Sequence, residues 1–161
     1  MTPNPTSRPM RPWAGATYAA LPAHDFGPVA SDLGLVALRE AYRPSGGIAR
    51  GDDLGRLLED YCCGDFVNLA RWIVGGRVFG FDWHHTLWLP MFQFETHGLA
   101  PKPGLIRVLA ELPPELEGWT LAAWFARANH WLNGHRPADL LDSARGELIV
   151  AARRYHLPVE A

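Results

Sequence analysis

Cysteine is almost missing from this sequence, which excludes the class of small domains that disulfide bonds stabilise. The only two cysteines, Cys62 and Cys63, are adjacent. Neighbouring cysteines rarely bridge each other, so we expect no disulfide framework, and a reducing cytoplasm is the simplest compartment. No apolar run resembles a secretory leader or approaches the length of a membrane span. We therefore expect a cytoplasmic protein without a membrane partner.

An excess of charge of either sign is also lacking. The chain has 15 Lys and Arg against 17 Asp and Glu, which gives a formal net charge of −2. This balance argues against strong non-specific binding to nucleic acid, although it leaves room for a local basic patch. Lysine itself occurs once, at Lys102, so the positive charge is almost all arginine. Arginine is the better residue for planar, bidentate contacts.

Sequence motifs typical of enzyme active sites are lacking too. There are four serines and no G-x-S-x-G sequence around any of them. The glycine-containing stretch "VGGRVFG" ends a predicted helix and enters a strand, which is the reverse of the order in a phosphate-binding loop. The acidic pairs Asp52-Asp53 and Glu59-Asp60 flank an amphipathic helix and resemble solvated surface. We expect no enzyme.

Candidate metal ligands occur without a metal-binding pattern. His84, His85 and His97 lie near a predicted hairpin, with Cys62 and Cys63 on the preceding helical turn. No C-x-x-C, H-x-x-x-H or H-E-x-x-H spacing is present. Adjacent side chains on a strand face opposite sides, so the two neighbouring histidines are poor joint ligands. We expect no metal site and no cofactor.

The chain does contain enough apolar residues for a core. Its hydrophobic fraction is 48%, with seven tryptophans, and 161 residues suit one domain or a small domain with an extension. Residues 1–29 contain six prolines and no apolar periodicity, so they are predicted to form an extended or disordered arm.

Helices are predicted first in the part that follows the arm. Ser31 can cap the first helix, and "RPSGG" ends it. A helical hairpin follows, with Asp65 as the N-cap of its second helix and Gly75-Gly76 as its end. The stripe of the first hairpin helix, at i, i+3, i+4 and i+7, is Leu54, Leu57, Leu58 and Tyr61.

A β-hairpin is predicted next, because the apolar period falls to two. Its strands lie within 77–83 and 86–94, and His84 and His85 lie between them. Pro90 puts the second strand at a sheet edge or ends its ladder.

The last third is helical again. A stripe at 105–112 ends at two prolines, and "GWTLAAWFARAN" is apolar nearly all round, which indicates a central helix. Pro137 is placed for a first helical turn with Asp139 near the positive end of the dipole, and Ser143 can cap a final helix. The predicted fold class is mainly α with one β-hairpin, divided into residues 30–94 and 95–161.

The order of elements over 50–94 admits two interpretations. Two helices across a tight turn, followed by a hairpin, is the order of a winged helix-turn-helix, with Asn68, Arg71 and Arg77 as the DNA contacts. Asp65 and Asp82 offset these cations, and affinity for DNA depends on several phosphate contacts. The other interpretation is a helical hairpin used for packing, and exposed apolar surface on it would favour a homodimer.

A resemblance to a known family appears near the C-terminus. "WLPMFQFE", "GWTLAAWFARAN" and "NHWLNGHRPADLL" together resemble the toxin-binding domain of the Xre/MbcA/ParS antitoxin family, over roughly residues 87–155. The residues at matching places are Pro90, Gln93, Phe94, Trp119, Trp124, Asn129, Trp131, Leu132, Gly134, Pro137, Asp139, Leu140 and Leu141. Ala128 departs from the pattern, which commonly has proline there, and no Xre-type DNA-binding domain is recognisable upstream.

The resemblance implies an antitoxin-like, non-enzymatic protein over 95–161 that binds and neutralises a cognate toxin, often an NAD-degrading enzyme of the RES type. The alternative is a transcriptional regulator that binds operator DNA through the 50–94 module. In the segment 129–137, which we call the corner, Gly134 and Pro137 are interpreted as structural. The partner-binding residues implied by the resemblance are Asn129, Trp131, Leu132, Asn133, His135, Arg136 and Asp139. Trp131 either covers the core or anchors the partner, and Arg136 is expected to be displayed, so that Arg136→Glu would spare the fold.

Overall fold

The computed structural model describes residues 30–61, 66–116 and 118–156. Within these ranges the chain forms seven α-helices and a three-stranded antiparallel sheet, which confirms a mainly α fold with a β-hairpin. The helices are α1 (Asp32–Tyr42), α2 (Gly51–Asp60), α3 (Phe66–Val74), α4 (Pro103–Glu111), α5 (Gly118–Ala126), α6 (Pro137–Leu140) and α7 (Arg145–Arg153). The strands are β1 (Ile48–Arg50), β2 (Phe81–Trp83) and β3 (Thr86–Pro90). None of the helices described is both long enough and apolar enough to cross a bilayer. The predicted arm at 1–29 and the predicted cap Asp65 lie outside the described residues.

The first helix begins and ends where the sequence predicts. The Ser31 hydroxyl accepts a hydrogen bond from the Gly34 amide at 3.0 Å, which satisfies one of the free donors at the start of α1. After Tyr42 the chain turns through a short 3-10 segment into Gly46 and Gly47, whose φ angles are +103° and +79°. Glycine takes these left-handed conformations at little cost, so the chain reverses direction there.

The sheet places the predicted hairpin beside a strand that the sequence did not indicate. His84 and His85 form its two-residue turn with φ angles of +49° and +59°, the left-handed conformations typical of tight hairpins. The strand order is β1-β3-β2, so β3 is central. Pro90, paired with Ile48, is the last residue of β3 and ends its ladder, whereas the edge position is wrong. β1 is only three residues long, too short to show an alternating pattern.

The main core surrounds α5, which is buried nearly all round as predicted. Aromatic rings join the sheet to this helix: the ring centroids of Phe79 and Phe125 are 5.3 Å apart, and those of Phe92 and Phe125 are 5.1 Å apart. α1, predicted as part of residues 30–94, packs against α5 and shares this core. The packing is therefore not divided at the predicted boundary between residues 94 and 95.

A second, smaller core lies between the helical hairpin and the sheet. Its buried residues are Leu54, Leu58, Leu69, Val78, Leu89 and Phe94. The predicted stripe on α2 is only half buried, because Leu57 is 42% exposed and Tyr61 is 57% exposed. Among the described elements, α2 packs closely against α3, β1 and β3, so only one flank of its stripe is covered.

The last helix begins one residue later than expected. The residue at its N-cap is Ala144, which has no side-chain cap, and Ser143 lies in the turn before it. The Ala144 amide donates to the Leu140 carbonyl at 2.9 Å, so the turn after α6 continues through the position where the cap was predicted. Tyr155 lies beyond α7 and is exposed.

Candidate partner-binding site

The corner is a closed loop held by its own backbone. The Asn129 amide donates to the His135 carbonyl, and the Asn129 carbonyl accepts from the amides of Leu132 and Gly134, each at 3.0 Å. The Asn129 side chain also accepts from the Trp131 amide at 2.9 Å, as an N-cap of the short helical turn 130–132. Five residues are thus closed around Asn129. Its principal role is to shape the corner.

Asn133 and Gly134 make the reversal at the tip. Their φ angles are +55° and +82°, so two successive residues adopt the left-handed conformation that Asn and Gly tolerate best. Both residues are exposed. A Cβ atom at Gly134 would meet nothing within 4 Å, so this glycine is required by its backbone angle and not by crowding.

Gly134→Val should therefore lower stability through backbone strain alone. A β-branched residue at this angle costs about 1–3 kcal/mol, because its Cβ substituents collide with the local backbone. Thermal unfolding followed by circular dichroism would measure the loss. Gly134→Asn is the matched control and should lose less than about 1 kcal/mol, since Asn tolerates left-handed angles. Equal stability of the valine and asparagine variants would contradict this explanation.

Arg136 is not displayed, and the expectation that it is exposed is wrong. Only 14% of its side chain is accessible. Its Nε donates to Asp139 Oδ2 at 2.8 Å, and its Nη1 donates to the carbonyl oxygen of Ala41 at the end of α1. Helix carbonyls at a C-terminus lack intrahelical donors, so the guanidinium satisfies one of them. Arg136 therefore joins α6 to α1.

Trp131 serves the core and the surface at once. It is partly buried and packs against the main core. Arg154, which follows α7, places its guanidinium carbon 4.4 Å from the centre of the indole ring. The His130 ring meets the same indole edge-on at 5.4 Å. Trp131 thus covers part of the core, and its ring also contacts the side chains of Arg154 and His130.

A cleft of about 320 Å³ adjoins the corner at Asn129. Its walls come from α5, from residues on either side of that helix, and from the short segment after α7. The residues that line it are Leu116, Thr120, Ala123, Trp124, Arg127, Ala128, Asn129 and Tyr155. Ala128, where the antitoxin pattern commonly has proline, is part of this wall. Aromatic, amide and guanidinium groups converge here on a space that a partner's side chains can fill.

Two ion pairs hold the helices on which the corner rests. Arg153 donates to both carboxylate oxygens of Glu111 at 2.9 Å and 2.8 Å, which ties α7 to α4. The hydrogen bond from Arg153 lowers the pKa of the Glu111 carboxyl and raises the pKa of the guanidinium. Lys102 reaches Asp142 at 2.6 Å on the other side of α6. These two ion pairs, one of them bidentate, connect the elements that lie behind the corner.

The structure therefore sorts the predicted site residues into three groups. Exposed residues are Asn133, His135 and Asp139; partly buried residues are Asn129, Trp131 and Arg136; and buried residues are Leu132 and Pro137. All of them lie on one continuous segment of the chain. Leu132 and Pro137 are buried, however, and Arg136 makes hydrogen bonds within the protein. The accessible surface of the corner comes from the partly exposed Trp131 and from the exposed residues His130, Asn133, Gly134 and His135.

Sequence reasoning missed two buried polar residues that hold this part of the chain together. Gln93 was noted only for its family match, yet it is fully buried and hydrogen-bonds to the backbone of Phe79 and Pro90. The Tyr42 hydroxyl donates to the Ala122 carbonyl at 2.7 Å. Burial raises the pKa of Tyr42 well above its usual value; nearby Arg136 opposes this shift and Asp139 adds to it. The tyrosine therefore stays neutral and structural.

Sequence reasoning also missed the surface groups that join the corner. Arg127 and Tyr155 line the cleft, and Arg154 lies on Trp131. They come from the ends of two helices that are distant in sequence. Only the packing of α7 against the corner brings them together.

The residues predicted to contact DNA lie elsewhere. Arg71 and Arg77 are exposed, whereas Asn68 is half buried. The neighbouring α2 carries Asp52, Asp53, Glu59 and Asp60, all exposed, against the single cation Arg56. The surface beside α3 therefore carries mostly acidic side chains.

Among the described residues, the histidines near the sheet do not belong to a cluster of metal-ligand side chains. His84 and His85 form the hairpin turn, and His84 lies 3.4 Å from Asp32. In the part of the chain that the structure describes, no three histidine, cysteine or acidic side chains are grouped as metal ligands would be. Cys62 and Cys63 lie outside that part.

Comparison of the chain with protein-family models, with curated proteins and with solved structures found no significant match. A functional assignment therefore depends on the geometry of the corner, the cleft and the helical hairpin.

Proposed function

We propose that this chain is a non-enzymatic, antitoxin-like protein that binds a toxin enzyme and neutralises it through the corner and its cleft. The observation that carries the proposal is that the corner is closed by its own hydrogen bonds while its tip and the Trp131 rim stay accessible. A preformed loop loses little conformational entropy when a partner binds, so its contacts contribute more fully to affinity.

The chemistry of this surface suits a protein partner. Trp131 and Arg154 form a stacked aromatic and guanidinium pair, and the cleft adds Trp124, Arg127 and Tyr155. Tryptophan, tyrosine and arginine are the residues most enriched among interface hot spots. The exposed guanidinium of Arg154, which lies over the Trp131 ring, adds a positive charge to this surface. A partner with an acidic pocket fits this surface best.

The antitoxin resemblance specifies the partner further. It covers the corner and both walls of the cleft, and in that family the bound enzyme is often an NAD-degrading toxin of the RES type. We propose the same class of partner here. Neutralisation would follow if the corner covers or enters the enzyme's active site.

Arg154→Glu should weaken partner binding about a hundredfold, because charge reversal at a desolvated interface pair costs roughly 2–5 kcal/mol. The tagged chain would capture its partner from its native cells, and the purified pair would be assayed for NAD hydrolysis and for affinity. We expect to capture one enzyme in stoichiometric amount. Its NAD hydrolysis should be inhibited by the wild-type chain and should not be inhibited by Arg154→Glu.

Arg77→Glu is the matched control, since it makes the same charge change on an exposed arginine at the end of the helical hairpin. It should bind and inhibit as wild type does. If both variants behave alike, or if the captured enzyme is not inhibited, the antitoxin proposal fails.

A DNA-binding regulator is the second candidate, favoured by one specific observation. The element order α1-β1-α2-α3-β2-β3 with strand order β1-β3-β2 is compatible with a winged-helix arrangement, in which α3 would read DNA. The acidic flank of α2 opposes this function. Salt-dependent binding to the chain's own upstream DNA, lost in Arg77→Glu and kept in Arg154→Glu, would favour the regulator.

A further inference from the structure

The helical hairpin carries an exposed apolar face that the described chain does not cover. Large hydrophobic side chains exposed on it are Leu57 and Tyr61 at α2, and Phe66, Val67 and Val74 on α3. They include half of the ten large hydrophobic residues that are exposed in the described chain, and they come from two neighbouring elements. Large apolar side chains that stay exposed on two packed helices of a folded protein indicate an interaction surface. We call this surface the hairpin face.

The strongest part of the hairpin face is a ridge along α3. Phe66, Ala70 and Val74 follow each other at i, i+4 and i+8, and all three are exposed. Val74 is 89% exposed, which is unusual for a valine in a nine-residue helix whose opposite side is buried at Leu69. An i±4 ridge is the surface by which helices most often pack into each other's grooves.

We propose that the hairpin face binds a second copy of this chain, with α3 packing antiparallel against its partner's α3 across a two-fold axis. The ridge is complementary to itself in this arrangement. The small Ala70 lies at the axis and allows the two backbones to approach closely, while Phe66 of each copy meets Val74 of the other. An isologous contact requires such a self-complementary surface.

Charge supports the same occupant. The exposed charges of α2 are Asp52, Asp53, Glu59 and Asp60 against Arg56, whereas the exposed charges at α3 and just after it are Arg71 and Arg77. In the antiparallel pairing the end of α3 in one copy, which Arg77 follows, lies beside the start of α3 in the other copy, which Glu59 and Asp60 at the end of α2 precede. Opposite charges at facing positions favour this antiparallel register over a parallel arrangement.

This dimer is independent of the proposed toxin-binding function, because the corner and the hairpin face belong to different elements. It does exclude one use of the helical hairpin. If α3 is buried between two copies, its exposed face is not available to read a DNA groove. The same helix therefore distinguishes a dimerising hairpin from a reading helix.

Val74→Glu and Val36→Glu test the proposal as a matched pair. Val36 is 61% exposed on α1, outside the hairpin face, so it receives the same change at another exposed helical site. The molar mass of the full chain would be measured by light scattering across a micromolar concentration series. Wild type and Val36→Glu should approach twice the 17.9 kDa chain mass, whereas Val74→Glu should self-associate at least about tenfold more weakly, because a carboxylate is buried at the contact.

A wild-type chain that stays monomeric across the series overturns the proposal. So does a dimer that persists equally in both variants, because the contact then lies elsewhere. Wild-type binding to upstream DNA that is lost in Val74→Glu while the mass stays monomeric would assign α3 to DNA instead.

A cross-link keeps the test decisive if Val74→Glu fails to fold. With both natural cysteines replaced by serine, Ala70→Cys should form a covalent dimer on mild oxidation, since the two-fold axis passes beside residue 70. Ala110→Cys, on the exposed side of α4, is the matched control and should remain monomeric under the same conditions. Equal cross-linking of the two variants would reject the axis through α3.

Discussion

Arg136→Glu should destabilise the folded chain by about 3–4 kcal/mol, because hydrogen bonds to a charged donor contribute roughly 1.5–3 kcal/mol each. The guanidinium joins the Asp139 carboxylate to the Ala41 carbonyl while only 14% of its side chain is accessible. Glutamate would remove both donors and place a second carboxylate beside Asp139. Urea unfolding followed by circular dichroism would measure the change in the free energy of unfolding.

The control for this prediction is a similar change at an exposed arginine. Arg43→Glu removes a pair with Glu40 in which both side chains are largely exposed, and it should cost less than about 1 kcal/mol. If Arg136→Glu were as stable as wild type, Arg136 would not connect α6 to α1. The outcome also decides how binding experiments at the corner are interpreted, since a partner lost in Arg136→Glu would report unfolding and not an interface.

Gln93→Met should cost about 3–5 kcal/mol, since each buried polar group left without a partner costs roughly 1–3 kcal/mol. The Gln93 side chain accepts from the Phe79 amide at 2.7 Å and donates to the carbonyls of Phe79 and Pro90 at 2.8 Å and 2.9 Å. Methionine has a similar length and volume, so the loss reflects the three hydrogen bonds and not a cavity. The free energy of unfolding is the first measurement.

Hydrogen exchange provides a local measurement of the same effect. In Gln93→Met the amide of Phe79 should exchange faster than in wild type, beyond the global change in stability, because it has lost its acceptor. Glu95→Met, an exposed site two residues away, should change neither quantity appreciably. Unchanged protection at Phe79 would contradict the role assigned to Gln93.

Local features of the sequence predicted most of the secondary structure. The Ser31 cap, the His84-His85 turn, the Pro137 start of α6 and the apolar α5 are all present. These features depend on side-chain bonds to the nearby backbone, on permitted φ angles and on periodicity, which act within a few residues. They could be inferred without knowing the partners of each element. Ser143 failed as a cap because the preceding turn continued past it.

The candidate site was less predictable, and Arg136 shows why. A basic residue before a helix start is unfavourable with respect to the helix dipole, so it suggested a contact outside the fold. The contact is instead with the C-terminal carbonyl of Ala41, 95 residues earlier in the chain. Arg154 was missed for the converse reason, since nothing near it in sequence indicates the Trp131 ring.

By itself the sequence determined the helical class, the hairpin, and the closed turn at Asn133 and Gly134. Short-range sterics and hydrogen bonding set these features. Only the tertiary structure decided which side chains remain on the surface. Periodicity predicts a stripe, but whether Leu57 or Val74 is covered depends on how many elements pack there. That is a property of the whole arrangement, and it leaves the hairpin face open and Arg136 enclosed.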